Sequence, residues 1–217
     1  AYALIEESQK KVVHLGIGKL LLKNIAKNEQ EERLFELVDH LNIGRELLTG
    51  KSEKIKLAKL NLQAGIKAKE STGYSAARDY LIAGIDCLSG DIWAAKYDLA
   101  FELHKHLAEA EYLMGYFEQS GYLVKEILQH AKTAVEKAEV HNMLVIQDTL
   151  NGQYAKAIET GRQALAHLDI DLPAENLESA LENLLKDAKQ TLGNRGIASL
   201  LKAPETTLPE VKVTLKL

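Results

Sequence analysis

Few residues in this chain have the types and spacing that chemistry would need. Gly50-Lys51-Ser52 carries the lysine and hydroxyl of a phosphate-binding loop, in which successive backbone amides wrap the phosphates. Such a loop has four residues between its first glycine and the Gly-Lys-Ser triplet, and it follows a strand. Here five residues separate Gly44 from Gly50 and the upstream segment is helix-patterned, so the stretch reads as a solvated connector. His104 and His106 lie two apart on a helical segment and so point to different sides; they predict one packed and one semi-exposed histidine, not a shared metal ion. His14, His40, His130, His141 and His167 are isolated and sit in no metal-ligand motif. Cys87 cannot form an internal disulfide because it is the single cysteine, and its helical surroundings predict a buried, inert thiol. Trp93, beside the expected cap Asp91, reads as a core plug. The sequence therefore predicts no catalytic, cofactor-binding or metal-binding residue, and a segment that is not itself an enzyme.

The totals agree with a scaffold. A hydrophobic content of 46% is enough to bury a core, and a formal charge of −4 suggests neither a nucleic-acid surface nor an acidic tail. The apolar runs fall short of the ~20 residues that a membrane helix needs, and the first residues do not form a signal peptide. With one cysteine, the expected compartment is reducing, most simply the cytoplasm. The chain starts without methionine, which suggests a piece of something longer. Pro173, Pro204 and Pro209 all lie in the last 45 residues, so nothing before them forbids a helix interior, and strict two-residue alternation is nearly absent. The expected class is all-α.

The organising stretch is Asn151 to Leu168. After the Asn151-Gly152 turn, Tyr154, Ala157, Gly161 and Ala164 recur at spacings of three, four and three, which puts them on one helix face. Small residues there let a second helix approach, with an aromatic to fill the gap. Tyr74, Ala77, Leu81 and Gly84 repeat the spacing, as do Phe117, Ser120, Val124 and Ile127. Tyr74, Phe117 and Tyr154 are then equivalent, 43 and 37 residues apart, a period that fits stacked helix pairs.

Further helices are expected over 2–24, from an Asn28/Glu31 capping box to about Asn42, and over 52–70, 92–114, 135–150 and 174–192, with a short turn at 197–201. Glu46-Leu47-Leu48 could add a turn of helix. Gly16 and Gly18 inside the first helix suggest a close helix contact. Residues 1–171 are assigned about four helix pairs. Residues 172–217 are assigned a capping helix that covers the last repeat and an exit linker, with no structure predicted for 202–217.

The Gly152, Tyr154, Ala157 and Ala164 pattern resembles the second helix of a tetratricopeptide (TPR) repeat, in a degenerate form: Ser120 and Ile127 replace alanines, and only Ala64-Gly65 and Ala68 echo the usual first-helix string. The fold this implies is a TPR-like α-α superhelix, a solenoid of antiparallel helix pairs. In such arrays the first helix of each pair lines an inner groove. Threading from the aromatics places Lys59, Leu62, Ile66, Lys105, Glu109, Tyr112, Asn142 and Ile146 there, while Tyr74, Ala77, Phe117, Ser120, Tyr154, Ala157 and Ala164 pack the repeats.

A second resemblance covers nearly the whole chain. Ala3-Leu4-Ile5 with Val13-His14-Leu15-Gly16-Ile17-Gly18-Lys19-Leu20-Leu21-Leu22 looks like the junction after the AAA-type ATPase module of very large bacterial signalling proteins. Those proteins join a serine/threonine-kinase-like domain, the ATPase, a helical-repeat region, a GAF sensor and usually a histidine kinase. Leu41–Leu47, Ala64–Tyr74 and Ala108–Gly115 are similar to their repeat region, and Leu200–Glu205 to its exit towards the GAF domain. The resemblance implies a non-catalytic interaction module inside a multidomain signalling kinase. Its partners would be neighbouring domains of the same chain or another protein, with no nucleic acid, membrane or metal. The alternative expectation is a self-standing TPR-like adaptor that binds a partner peptide in its groove.

Overall fold

The computed structural model describes residues 6–25, 29, 31–173, 175–193, 195 and 204–217. Among the described residues every regular element is helical. They are α1 (Glu7–Asn24), α2 (Leu34–Ile43), a 3₁₀ turn at Arg45–Leu47, α3 (Lys51–Glu70), α4 (Tyr74–Asp86), α5 (Ile92–Ala95), α6 (Tyr97–Leu113), α7 (Phe117–His130), α8 (Ala134–Leu150), α9 (Tyr154–Ala166), α10 (Leu177–Leu192) and α11 (Pro209–Thr214). The chain divides into two compact units, Ala1–His130 and Ala131–Leu217. In the first, α1 packs on α2, α3 on α2 and α4, and α6 on α3, α4, α5 and α7. In the second, α8 pairs with α9 and carries α11. The expected Asn28 cap, the 197–201 turn and the Ala3-Leu4-Ile5 block lie outside the described residues, as do most of the exit residues 200–205.

Three hairpins, α3/α4, α6/α7 and α8/α9, turn in the same way. The amides of Gly73, Tyr116 and Gln153 each reach the carbonyl five residues back (Ala68, Glu111 and Asp148) at 2.8 Å. The amides of Thr72, Gly115 and Gly152 bond to Lys69, Tyr112 and Thr149 at 2.9, 2.9 and 3.0 Å. This paired closure satisfies carbonyls that the helix end would otherwise leave open, and it requires a left-handed residue at its centre. Thr72, Gly115 and Gly152 supply it, with φ of 61°, 84° and 72°. Glycine does so without the clash that a Cβ brings.

The second helix then starts at the aromatic in all three hairpins. Ala77, Ser120 and Ala157, three residues on, are buried, and so are Gly84, Ile127 and Ala164 ten residues on. Ser120 is accommodated because its hydroxyl donates to the Ala108 carbonyl at 2.8 Å. The aromatics do not fill the gap between helices as expected. Phe117 and Tyr154 are 57% and 64% exposed, and Tyr74 is half-buried. A side chain at the first helical position leans towards the helix N-terminus, at the rim of the hairpin, so Phe117 meets the Tyr112 ring of α6 at 5.3 Å on one side and leaves the rest of its ring exposed.

Close backbone approach sets the layer spacing in the first unit. A Cβ on Gly65 would sit 2.6 Å from Leu81 Cγ, and one on Gly84 would sit 2.7 Å from Leu103 Cδ2. Between these layers Asn61 is fully buried, and its amide exchanges hydrogen bonds of 2.8 and 2.9 Å with that of Asn42. A buried amide is tolerated only when its donors and acceptors are met, so the pair fixes the register of α2 on α3. Gly18 meets Leu41 as the sequence suggested, whereas Gly16 has no neighbour within 4 Å of a built Cβ.

The helix expected over 92–114 breaks at Lys96, whose φ and ψ are −142° and 47°. The Asp91 side chain caps the short α5 by accepting from the Ala94 amide at 3.0 Å. In one unbroken helix Trp93 and His104 would be separated by roughly 16 Å of rise. Their rings are 4.9 Å apart, so the break folds Trp93 back over α6 and buries it. α8 starts with a capping box formed by Thr133 and Glu136. Thr133 Oγ1 accepts from the Glu136 amide at 3.1 Å, and Glu136 accepts from the Thr133 amide at 2.9 Å. α10 stands where a capping helix is expected, but none of its residues is buried, and Leu177, Leu181, Leu184 and Leu185 remain exposed. α11 lies in the stretch left without prediction; Pro209 opens it, and Val213 is buried.

A Cβ on Gly44 would meet Leu15 Cβ at 2.6 Å and the Lys11 carbonyl oxygen at 2.8 Å, neither of which can move without shifting α1. Gly44→Ala should therefore destabilise the protein by about 1–3 kcal/mol in chemical denaturation. Gly16→Ala faces open space in mid-helix and should stabilise by up to ~1 kcal/mol in the same measurement.

Candidate functional site

α3 and α6 are the first helices of adjacent hairpins and lie side by side. On α6, Glu102, Lys105, His106 and Glu109 fall within two turns and share one stripe. Lys69, in the last turn of α3, reaches across to it. Its ammonium donates to Glu109 Oε2 and lies 2.9 Å from His106 Nδ1. Lys105 donates to Glu102 Oε1 at 2.7 Å and rides over the Phe101 ring, 5.2 Å from its centroid. His106 Nε2 is 3.6 Å from Glu102 Oε2, and its Nδ1 is 3.8 Å from Glu109 Oε2. The neighbouring His106, and then Lys69, hold the Glu109 carboxyl down to about 2, against the effect of burial. Two ammonium groups thus face two carboxylates. The stripe is internally balanced and presents mixed charge beside the half-buried Leu62 and Ile66.

The structure places the eight residues assigned to a groove as follows. Lys59 is exposed on α3, with Leu62 and Ile66 half-buried; Lys105, Glu109 and Tyr112 are half-buried on α6. Asn142 is half-buried and Ile146 exposed on α8 of the second unit. Of these, Lys105 and Glu109 enter the charged network. Lys69, Glu102 and His106 belong to it too and were not singled out in the sequence, although the signal was there. Lys69 extends the Lys59, Leu62, Ile66 spacing by three, and Glu102 precedes Lys105, Glu109 and Tyr112 by the same step. What sequence spacing does not contain is the contact itself, across 40 residues.

The remaining chemical candidates resolve into packing. Gly44 is pressed against α1, and Lys51 and Ser52 open α3, so no phosphate loop forms. His104 is buried, with Nδ1 2.7 Å from the Ala100 carbonyl and Nε2 4.0 Å from Glu126 Oε1, while His106 faces the opposite stripe. The Trp93 indole stacks on His130 at 4.3 Å and donates to Glu126 at 3.4 Å. His14 and His40, isolated in sequence, face each other across α1 and α2 with Nδ1 atoms 2.7 Å apart. His141 and His167 make a similar ring pair at 5.1 Å between α8 and the end of α9. Cys87 is buried, and burial pushes its thiol pKa up, which disfavours the reactive thiolate.

No family model matches the chain. It is similar to hybrid signal transduction histidine kinase G of Dictyostelium discoideum, with 26% identity over 221 aligned residues. The alignment covers 90% of this chain and 6% of that protein, so the chain corresponds to a small part of a much larger signalling protein. That relative comes from an amoeba, whereas the sequence resemblance pointed to bacterial proteins. No described helix is long and apolar enough to cross a membrane.

The depressed Glu109 pKa carries a definite sign. Its contribution is fully present above the ordinary value of 4.5 and is lost as pH falls from there towards about 2. Solvent screening of a carboxylate this exposed reduces it to roughly 1 kcal/mol. Glu109→Gln should lower stability at pH 7 by about that amount and flatten the acid limb of a pH–stability curve between pH 4.5 and about 2. The measurement is urea denaturation across pH.

Proposed function

We propose that this chain is a non-catalytic helical-repeat module of a multidomain signalling kinase, and that the α3/α6 stripe is where a neighbouring domain or a partner peptide docks. The observation that carries the reading is the repeated hairpin. Three pairs share one turn geometry and one buried register, as in a TPR-like solenoid. The similarity along 90% of the chain to a stretch of a signal transduction histidine kinase supports the setting. A stripe whose charges are already paired offers orientation and selectivity more than raw affinity, because any partner must exchange one ion pair for another. Packed hairpins contact mainly their neighbours, so such a module passes displacement along pair by pair. The catalytic work of the parent would then lie in its kinase and ATPase parts.

The test uses the chain together with its flanking domains in the parent protein. A Lys69→Glu, Lys105→Glu variant should lose protection from hydrogen exchange on α3 and α6 when the flanks are present, while helicity by circular dichroism stays the same. Equal protection on these helices with and without the flanks and any added partner would sink the docking role. Phosphotransfer from ATP by the isolated chain would sink the non-catalytic one.

A further inference from the structure

Glu111 and Asp148 occupy the same place in successive hairpins. Each stands four residues before the left-handed turn glycine, supplies the carbonyl that closes the turn, and is buried. Asp148 has both carboxylate oxygens occupied. Lys156 Nζ donates to Oδ1 at 2.7 Å, and the Thr160 hydroxyl donates to Oδ2 at 3.5 Å. Glu111 has one. Arg78 Nε donates to Oε1 at 2.8 Å, while Oε2 is buried without a hydrogen-bond partner on a residue only 3% exposed.

The reason lies in the equivalent positions. Counting from Phe117 as from Tyr154 puts Gln119 where Lys156 stands and Leu123 where Thr160 stands. Leucine has no hydroxyl to give. Gln119 and Leu123 line an open pocket of 380 Å³ with Leu107, Glu111, Glu118 and Tyr122, and Tyr122 is 70% exposed. A buried carboxylate oxygen with no donor is costly, and an incoming N–H removes the cost. Arg78 offsets one carboxylate, and Glu118 keeps the mouth negative.

We infer that this pocket takes a lysine or arginine side chain carried on an amphipathic segment of a protein partner. The cationic head donates to Glu111 Oε2 near Glu118, and the stem lies along Leu107, Leu123 and Tyr122. The pocket uses Leu107 and Glu111, which are turned away from Lys105 and Glu109 on α6, so this inference does not rest on the docking role of the α3/α6 stripe.

The probe is a synthetic leucine–lysine peptide patterned as an amphipathic helix, with glutamate replacing lysine in the control, titrated by calorimetry into the full chain. The lysine peptide should bind the wild type, and the glutamate peptide should not. Glu111→Gln, which keeps the shape and removes the charge, should weaken binding about tenfold or more. Leu123→Thr supplies from within the hydroxyl that Thr160 supplies to Asp148, and it should weaken binding as well. Lys105→Ala, on the other face, should leave it unchanged. Absence of binding to the wild type, equal binding of both peptides, or undiminished affinity in Glu111→Gln or Leu123→Thr would overturn the assignment.

Discussion

The carbonyls at the end of a helix must find donors, and in this protein one backbone position per hairpin lets them do so. With a left-handed residue at position 72, 115 or 152, its own amide and the next one fold back onto the helix they have just left. The chain reverses within a few residues and the second helix begins at a fixed point. Everything that packs between the two helices is then set by counting. The third residue of the count faces the partner and must be small, which is why Ala77, Ser120 and Ala157 are buried there. An extra residue in the turn would rotate the second helix by about 100° and bring a different face inward.

Close contact between layers follows from the same economy of volume. Gly65 and Gly84 leave room for Leu81 and Leu103, so α3, α4 and α6 interlock without a gap. Within that dense layer the Asn42–Asn61 amide pair is a polar element whose bonds are met only in one register. Dense packing holds α3 and α6 at fixed separation, and this allows Lys69 to span from one to the other. The charged stripe is thus a consequence of the core beneath it. Its half-buried ion pairs are screened by solvent and contribute only about 1 kcal/mol each to stability, but they define which partner geometry fits.

Polar groups at the edges of the hairpins show how one geometry can be reused with different chemistry. At the third-last position of the first helix, α3 carries Ala68, α6 carries Glu111 and α8 carries Asp148. The alanine asks for nothing, Asp148 is answered by two residues of its own hairpin, and Glu111 is answered by one from α4. The break at Lys96 is another local departure. It gives up helix hydrogen bonds so that Trp93 can cover His104 and stack on His130. Burying an indole recovers more free energy than a single backbone turn gives up.

The chain by itself determined the all-helical class, the hairpin starts at Tyr74, Phe117 and Tyr154, and the small buried positions that follow each one. These depend on proline placement, on a turn glycine just before each second helix (left-handed at 115 and 152, beside the left-handed Thr72 at 73) and on a 3.6-residue period, all of which are local and readable along the chain. The Thr133–Glu136 capping box and the three-residue step to Lys69 are local patterns too, but it was the structure that brought them out. The tertiary structure alone decided which faces meet. Phe117 and Tyr154 stay largely exposed at the rim of their hairpins, because exposure depends on how much of the neighbouring helix covers that rim. The break at Lys96 could not be read either, since it is stabilised by contacts of Trp93 with residues 11 and 37 positions away. His14 with His40, Lys69 with Glu109, and the half-satisfied Glu111 are juxtapositions between separate helices. Sequence spacing fixes the face a side chain occupies, whereas distance and burial belong to the packing of one helix on another.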